Sequence, residues 1–212
     1  MKRPVIVIGS GGHASVLVDA IKASSVEILG IADADPARHG RSVLGVPVIG
    51  GDEEITRRKP GEILLVNGLG SVGSTARRTD IFKRFKTAGY SFASVVHPSV
   101  VIASDVRPGE GAQIMAGAVV QTGCIIGGNV IINTGATVDH DCVIGDHAHI
   151  ASGATLSGGV EVGDGSHIGA GATVIQYVRV GAGVVVGAGA VVVSNVPDGV
   201  TVTGVPAREA SR

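Results

Sequence analysis

A histidine followed directly by an aspartate, His140-Asp141, is the pair in this chain best suited to moving a proton. Imidazole has a reference pKa of about 6.5, so at neutral pH it can accept a proton from an attacking amine or hydroxyl. A carboxylate beside it would hold the other ring nitrogen and stabilise the imidazolium. The plain alternative is a surface histidine in a solvated stretch. The segment Ile132 to His149 is the densest polar stretch of the second half and also carries Asn133, His147 and His149. Three histidines raise zinc as an option. Their positions fall in different columns of the repeat described below, so no metal is expected.

Gly9-Ser-Gly11-Gly12-His13-Ala14 follows an apolar run and precedes a predicted helix. Glycines there would let backbone amides approach a phosphate at the helix N-terminus. Asp33 ends a predicted second strand, where a ribose-binding acid is expected. A dinucleotide, a nucleotide diphosphate bearing a sugar, and a tight turn without ligand all fit this pattern. His13 departs from the dinucleotide pattern, and the segment is short for a six-stranded dinucleotide domain. Both points favour the nucleotide sugar.

The elements that must position these groups fall into two sets. Residues 4–8 form a buried-strand run, part of an N-terminal stretch from Met1 read as a first strand and not as a signal peptide. A helix over about 13–24, with Val16, Leu17 and Ile21 on one face, and strands over about 27–32 and 63–67 follow. A helix over 75–88 carries Ile81, Phe82 and Phe85, with Arg77, Arg78, Lys83, Arg84 and Lys86 read as its solvated face. This β-α-β order predicts a small parallel, Rossmann-like α/β domain over residues 1–95. His97-Pro98 marks the joint.

From Ile102 to Val192 an aliphatic residue recurs at every sixth position, interrupted only by Pro108. A second ladder of small or β-branched residues runs four positions behind it, from Val106 and Ala112 through Cys124 and Cys142 to Ala190. This period specifies a hexapeptide-repeat parallel β-helix over 96–194. Three hexads make a turn, so the ladder gives about five turns stacked at about 4.8 Å. The small ladder and the glycines after the first ladder (Gly127, Gly145, Gly163, Gly169, Gly181, Gly187) are expected to let the chain bend at the corners. Residues 195–212 are expected to cover the last turn. His140 lies two residues after the ladder and should point outward, in one column with Thr122 and Gly158; the glycine would leave room for a ligand. A smooth prism has no lid, so a neighbouring subunit should supply the second wall of any site.

Aromatic residues are only 2% of the chain, as suits a narrow coil interior. A net charge of −1 gives no general attraction to nucleic acid or anionic membrane, and no apolar run reaches the length of a membrane span. The two cysteines read as small core residues of a cytoplasmic protein.

Four segments, Val5 to His13, His97 to Val100, Asn133 to Asp146 and Asp198 to Ala207, resemble the sialic acid O-acetyltransferase family of hexapeptide-repeat sugar acyltransferases. Close relatives in that family N-acetylate nucleotide-linked 4-amino sugars. Partly through Asn67 to Ser74, the chain is most similar to the GDP-perosamine N-acetyltransferases of O-antigen and lipopolysaccharide synthesis. The resemblance implies left-handed coiling, acetyl-CoA as donor, a 4-amino-4,6-dideoxy sugar as acceptor, and a homotrimer with sites between subunits. It assigns catalysis to His140 and Asp141. It puts His149 near the thioester and Gly158, Ala170, Gly187 and Ala188 along coenzyme A. Gly11, Gly12, His13, Asp33, Asp35, Gly68, Ser71 and Asn133 would serve the nucleotide sugar. Some relatives carry glutamate where this chain has Asp141, which raises the question of whether the shorter arm reaches the ring. Three other outcomes remain at this point: transfer to a sugar hydroxyl, a nicotinamide-dependent oxidoreductase working from residues 1–95, and a non-catalytic nucleotide-sugar-binding scaffold.

Overall fold

The computed structural model describes residues 3–210, so the first two residues of the N-terminal reading and the last two of the expected tail lie outside the described residues. Strand β1 (Val5–Ile8) alternates its side chains between two cores, because successive residues of a strand face opposite ways. Val5 and Val7 pack with helix α1 (Gly12–Ala23), whereas Ile6 and Ile8 pack on the opposite side. Helix α1 buries Ala14, Leu17, Val18 and Ile21, the i, i+3, i+4, i+7 stripe of a helix face. Val16 lies off that stripe and is 42% exposed, contrary to the expected face.

Strand β2 (Ile28–Ala32) pairs with β1 in parallel. A hairpin that the apolar pattern did not mark follows: β3 (Ser42–Val43) antiparallel to β4 (Val46–Gly50). A one-turn helix α2 (Glu53–Thr56), strand β5 (Leu64–Asn67) and helix α3 (Ala76–Thr87) complete a five-stranded sheet of order β3-β4-β2-β1-β5.

The coil has three faces. One carries Val95–Val96, Gln113–Ile114, Ile131–Ile132, His149–Ile150, His167–Ile168, Val185–Val186 and Thr201–Thr203 in one sheet. Thus the sheet starts at Val95, just before His97-Pro98, and the tail adds a strand to it and then folds back antiparallel through Arg208–Glu209. A second face includes Thr137–Val138 and Thr155–Leu156; a third includes Val143–Ile144 and Glu161–Val162. Pairing is parallel and in a constant register, as in Ile131 with His149 and Thr137 with Thr155. Both ladders are buried, and Pro108 keeps its rung by bridging to Ile126.

The first face is the one covered by the α/β domain. Its outward residues Gln113, Ile131, His149 and His167 are buried, whereas Ile125, Val143, Glu161 and Arg179 on the third face are exposed.

The corners turn differently from the expectation. The left-handed residues lie three positions after the ladder, as at Gly123 (φ 74°) and Gly159 (φ 69°). At this position a Cβ is disfavoured by its own backbone, so glycine dominates. Asn129, Asp141, His147 and Tyr177 are the non-glycine members of the column. The glycines directly after the ladder do not have positive φ; a Cβ at Gly163 would sit 2.5 Å from Ala182 N of the next turn. They are there for close stacking and not for the bend.

Candidate functional site

Three corners separate the three faces, and the candidate residues divide between two of them. His140 and Asp141 stand on the corner between the second and third faces, which is the corner opposite the covered face. His140 Nδ1 lies 2.8 Å from Asp141 Oδ2. A carboxylate only accepts, so Nδ1 carries the proton and Nε2 is left as the acceptor. Asp141 reaches the ring from a left-handed backbone, φ 60°, with its other oxygen over Gly123. The short arm therefore suffices. The hydrogen bond to Asp141 raises the His140 pKa above its ordinary value, helped by the nearby Asp139 carboxylate. A Cβ at Gly158 would lie 2.5 Å from His140 Nε2 and Cε1. The space left by this glycine is thus taken by the imidazole itself, a correction to the expected ligand space. His140 side-chain exposure is 50%.

The second set surrounds a cavity of about 950 Å³ between the α/β domain and the coil. Ser10 to His13, Asp33, Asp35, Gly68, Ser71, Asn133 and His149 all line it; His140 and Asp141 do not. A more apolar cavity of about 620 Å³ lies elsewhere, near Ile21, Val26, Leu64 and Val95, and holds none of the candidate residues.

Inside the larger cavity the histidines are neutral. Burial pushes His149 down to about 3 and His13 down to about 4. Asn133 Oδ1 accepts from Thr134 N at 2.8 Å, so its Nδ2 donates to His149 Nε2 at 3.2 Å. His149 Nδ1 then donates to Ser71 Oγ at 2.6 Å. His167 stacks edge-on against His149, and its Nδ1 is buried without a hydrogen-bond partner. His13 Nε2 donates to Gln113 Oε1 at 2.7 Å, tying α1 to the coil. Asp33 accepts from Ser10 N at 2.7 Å and Ser10 Oγ at 2.5 Å, which fixes the glycine loop. Asp35 accepts from Ala37 N and pairs with Arg38. A Cβ at Gly11 or Gly12 would meet nothing within 4 Å, so protein packing does not demand either glycine. At Gly68 it would lie 2.6 Å from Ile8 O, so that glycine serves the strand end.

Sequence reasoning missed Arg78. The charge pattern puts it on the solvated face of α3, yet it is 1% exposed. Its guanidinium donates to Asn67 O and Leu69 O at 2.8 Å each and to Asn129 O at 3.3 Å, while Nη2 is buried without a partner. Burial lowers its pKa to about 9, so it stays charged at neutral pH. The helical period does place it three and seven positions before Ile81 and Phe85, a signal that its charge masked.

Among the coenzyme A candidates, Gly158 lies under His140. Ala170 and Ala188 are exposed on the corner column of Thr134 and Ser152, joined through the bonds Gly171 N to Ser152 O and Gly189 N to Ala170 O. Gly187 stands just before that column, where a Cβ would press on Thr203. The candidate set is therefore spread over two corners. His147 is on the third corner, edge-on to Phe82 and 3.0 Å from Asn129. Among the described residues no cluster of three or more His, Cys, Asp or Glu could hold a metal, and no helix is long and apolar enough to cross a membrane.

Residues 4–85 match the PglD N-terminal domain model, and residues 125–158 and 141–176 match the bacterial transferase hexapeptide (six repeats) model. No curated protein matches the chain. The structure of PerB from Caulobacter crescentus in complex with CoA and GDP-perosamine is similar, with 39% identity, TM-score 0.90, and coverage of 100% of this chain and 99% of that one. The acetyltransferase domain of PglB from Neisseria gonorrhoeae FA1090 in complex with acetyl coenzyme A gives 38% identity, TM-score 0.90, and coverage of 99% and 100%. WeeI from Acinetobacter baumannii AYE gives 26% identity, TM-score 0.87, and the same coverage of 99% and 100%. The coil is accordingly a left-handed parallel β-helix behind an α/β domain, the fold class read from the sequence.

Proposed function

Because this chain belongs to the hexapeptide-repeat sugar acyltransferases with a PglD-type N-terminal domain and is an acetyl-CoA-dependent sugar N-acetyltransferase, we propose that its acceptor is the amino group of a nucleotide-linked 4-amino-4,6-dideoxy sugar, GDP-perosamine in the first place. The observation that carries this is the separation of the two sites. A free imidazole acceptor stands on one corner, and the polar cavity opens beside another. One chain cannot bring them together. In a homotrimer, the His140 corner of one subunit would face the α/β cavity of the next.

In that arrangement the diphosphate rests over Gly11 and Gly12, where open space meets the uncapped N-terminus of α1. Asp33, Asp35, Gly68 and Ser71 border the nucleotide sugar. Asn133 has a second amide hydrogen to offer the sugar or the acetyl carbonyl, and neutral His149, bonded through both nitrogens, holds Asn133 and Ser71 in place without adding charge. Acetyl-CoA runs from His140 past Gly158 on one subunit and past Ala170, Gly187 and Ala188 on its neighbour. The sugar nitrogen attacks the thioester carbonyl, His140 Nε2 takes the proton, and Asp141 stabilises the imidazolium. The C–S bond then breaks and the thiolate leaves, reprotonated by the imidazolium. General-base help of this kind is worth roughly 10²–10⁴-fold, and alignment of the two substrates contributes more. A cytoplasmic location in the synthesis of an O-antigen-type polysaccharide goes with this reading; the buried free cysteines support the compartment.

The test is incubation with acetyl-CoA and a panel of GDP-, UDP- and dTDP-linked 4-amino sugars, followed by mass spectrometry. The expected result is one added acetyl group on the GDP-linked sugar and release of free thiol. Transfer only to a hydroxyl, or no transfer to any member, would overturn the acceptor assignment.

A further inference from the structure

Tyr177 is the exposed aromatic of this chain, at 76% of its surface. Its φ of 58° is a conformation that disfavours bulky residues and that its column otherwise fills mostly with glycine. Its phenol ring occupies the space of a missing side chain: a Cβ at Gly159 would lie 2.5 Å from Cδ1 and 2.7 Å from Cε1. The His140 ring occupies the corresponding space at Gly158. The two rings therefore rest on consecutive residues of one turn, the imidazole from the N-terminal side and the phenol from the C-terminal side. Exposure and backbone strain of this kind are what a stacking side chain would have if its partner were a ligand.

The direction of approach identifies the ligand. The α/β cavity meets the coil at Asn133, Thr134, His149 and Ser152, on turns that precede Tyr177. The acceptor sugar thus enters from the N-terminal side, which leaves the C-terminal side for the acyl donor. Turns are about 4.8 Å apart, so a chain extending from a thioester at His140 reaches the phenol within one turn. We infer that Tyr177 binds the pantetheine arm of acetyl-CoA, its ring packing on the arm and its hydroxyl facing the amide groups. This rests on the reading of His140 as the centre of transfer.

The substitution Tyr177→Gly suits the test, because glycine relaxes the left-handed backbone and leaves the coil register intact. The KM for acetyl-CoA is expected to rise about 10-fold, the loss of one well-packed ring. The KM for the nucleotide sugar, the kcat and the thermal midpoint should stay close to those of the parent. Tyr177→Phe should keep most of the affinity. With S-acetylpantetheine the same rise should appear, and with S-acetyl-N-acetylcysteamine, which lacks most of the arm, it should shrink. A direct reading is available because the chain has no tryptophan and two tyrosines, of which Tyr90 is buried with its hydroxyl on Ile55 O and Arg58 O. Pantetheine should change the tyrosine emission of the parent and not that of Tyr177→Gly. An unchanged KM for acetyl-CoA in Tyr177→Gly, or an equal rise for both substrates, overturns the inference while the transfer reaction itself stands. If the parent transfers no acetyl group, the emission change with pantetheine still decides whether the arm binds at Tyr177.

Discussion

The exposed corner at His140 and the cavity around His149 use the same side chain in opposite ways. At the corner, Asp141 raises the imidazole pKa and engages Nδ1, so Nε2 is the acceptor of a half-exposed ring. In the cavity, burial holds His13 and His149 in neutral, fixed tautomers with every contact directed at protein. A proton acceptor needs a pKa near the working pH, whereas a buried positioning group must not change charge. In the proposed reaction, the contrast suits one region to proton transfer and the other to recognition.

The largest effect should come from the corner. His140→Asn is expected to lower kcat by roughly 10²–10⁴-fold in a thiol-release assay, with the fold and the KM for the nucleotide sugar retained. Near-parent turnover at every pH would falsify the base assignment. Between α3 and the coil, Arg78→Met leaves the carbonyls of Asn67, Leu69 and Asn129 without their donor. A loss of about 3 kcal/mol is expected, read as a lower urea midpoint; no loss would mean that water replaces the guanidinium. The buried histidines also predict an acid-sensitive fold. His13 and His149 have folded pKa values of about 4 and about 3. Below the unfolded value of about 6.5 the unfolded chain binds protons that the folded chain refuses, so stability is full above that pH and falls as the pH drops. The expected loss between pH 7 and pH 5 is about 2 kcal/mol per histidine. His149→Gln should flatten the dependence in a urea series; an identical slope would show that burial does not keep the ring neutral.

Two smaller effects sharpen the corner. Gly158→Ala puts a methyl where the imidazole rests, so kcat should fall about 10-fold with little change in stability. In Asp141→Asn the raised pKa of His140 relaxes toward its ordinary value. The base is active when neutral, so the pH at which kcat/KM reaches half its plateau should move down. An unmoved profile would mean that Asp141 orients the ring without tuning it.

Much of this contrast can be read in the chain itself. The unbroken period places His140 and Gly158 in one column, which the 2.5 Å approach bears out geometrically. The left-handed corner was misassigned because glycine is common at two positions of the hexad, and only torsion angles distinguish the one that bends from the one that stacks. Arg78 was misread because charge usually marks a solvated face, and nothing local to α3 announces that three carbonyls await it. The β3–β4 hairpin escaped notice because its first strand spans only Ser42–Val43.

The sequence by itself determined the coil, its columns and the adjacency of His140 and Asp141, because a fixed period translates through covalent spacing into a fixed register. The tertiary structure alone decided which of three similar faces the α/β domain covers. That choice depends on packing between residues far apart in the chain, such as His13 with Gln113 and Arg78 with Asn129. It buries one set of histidines and leaves His140 exposed on the opposite corner.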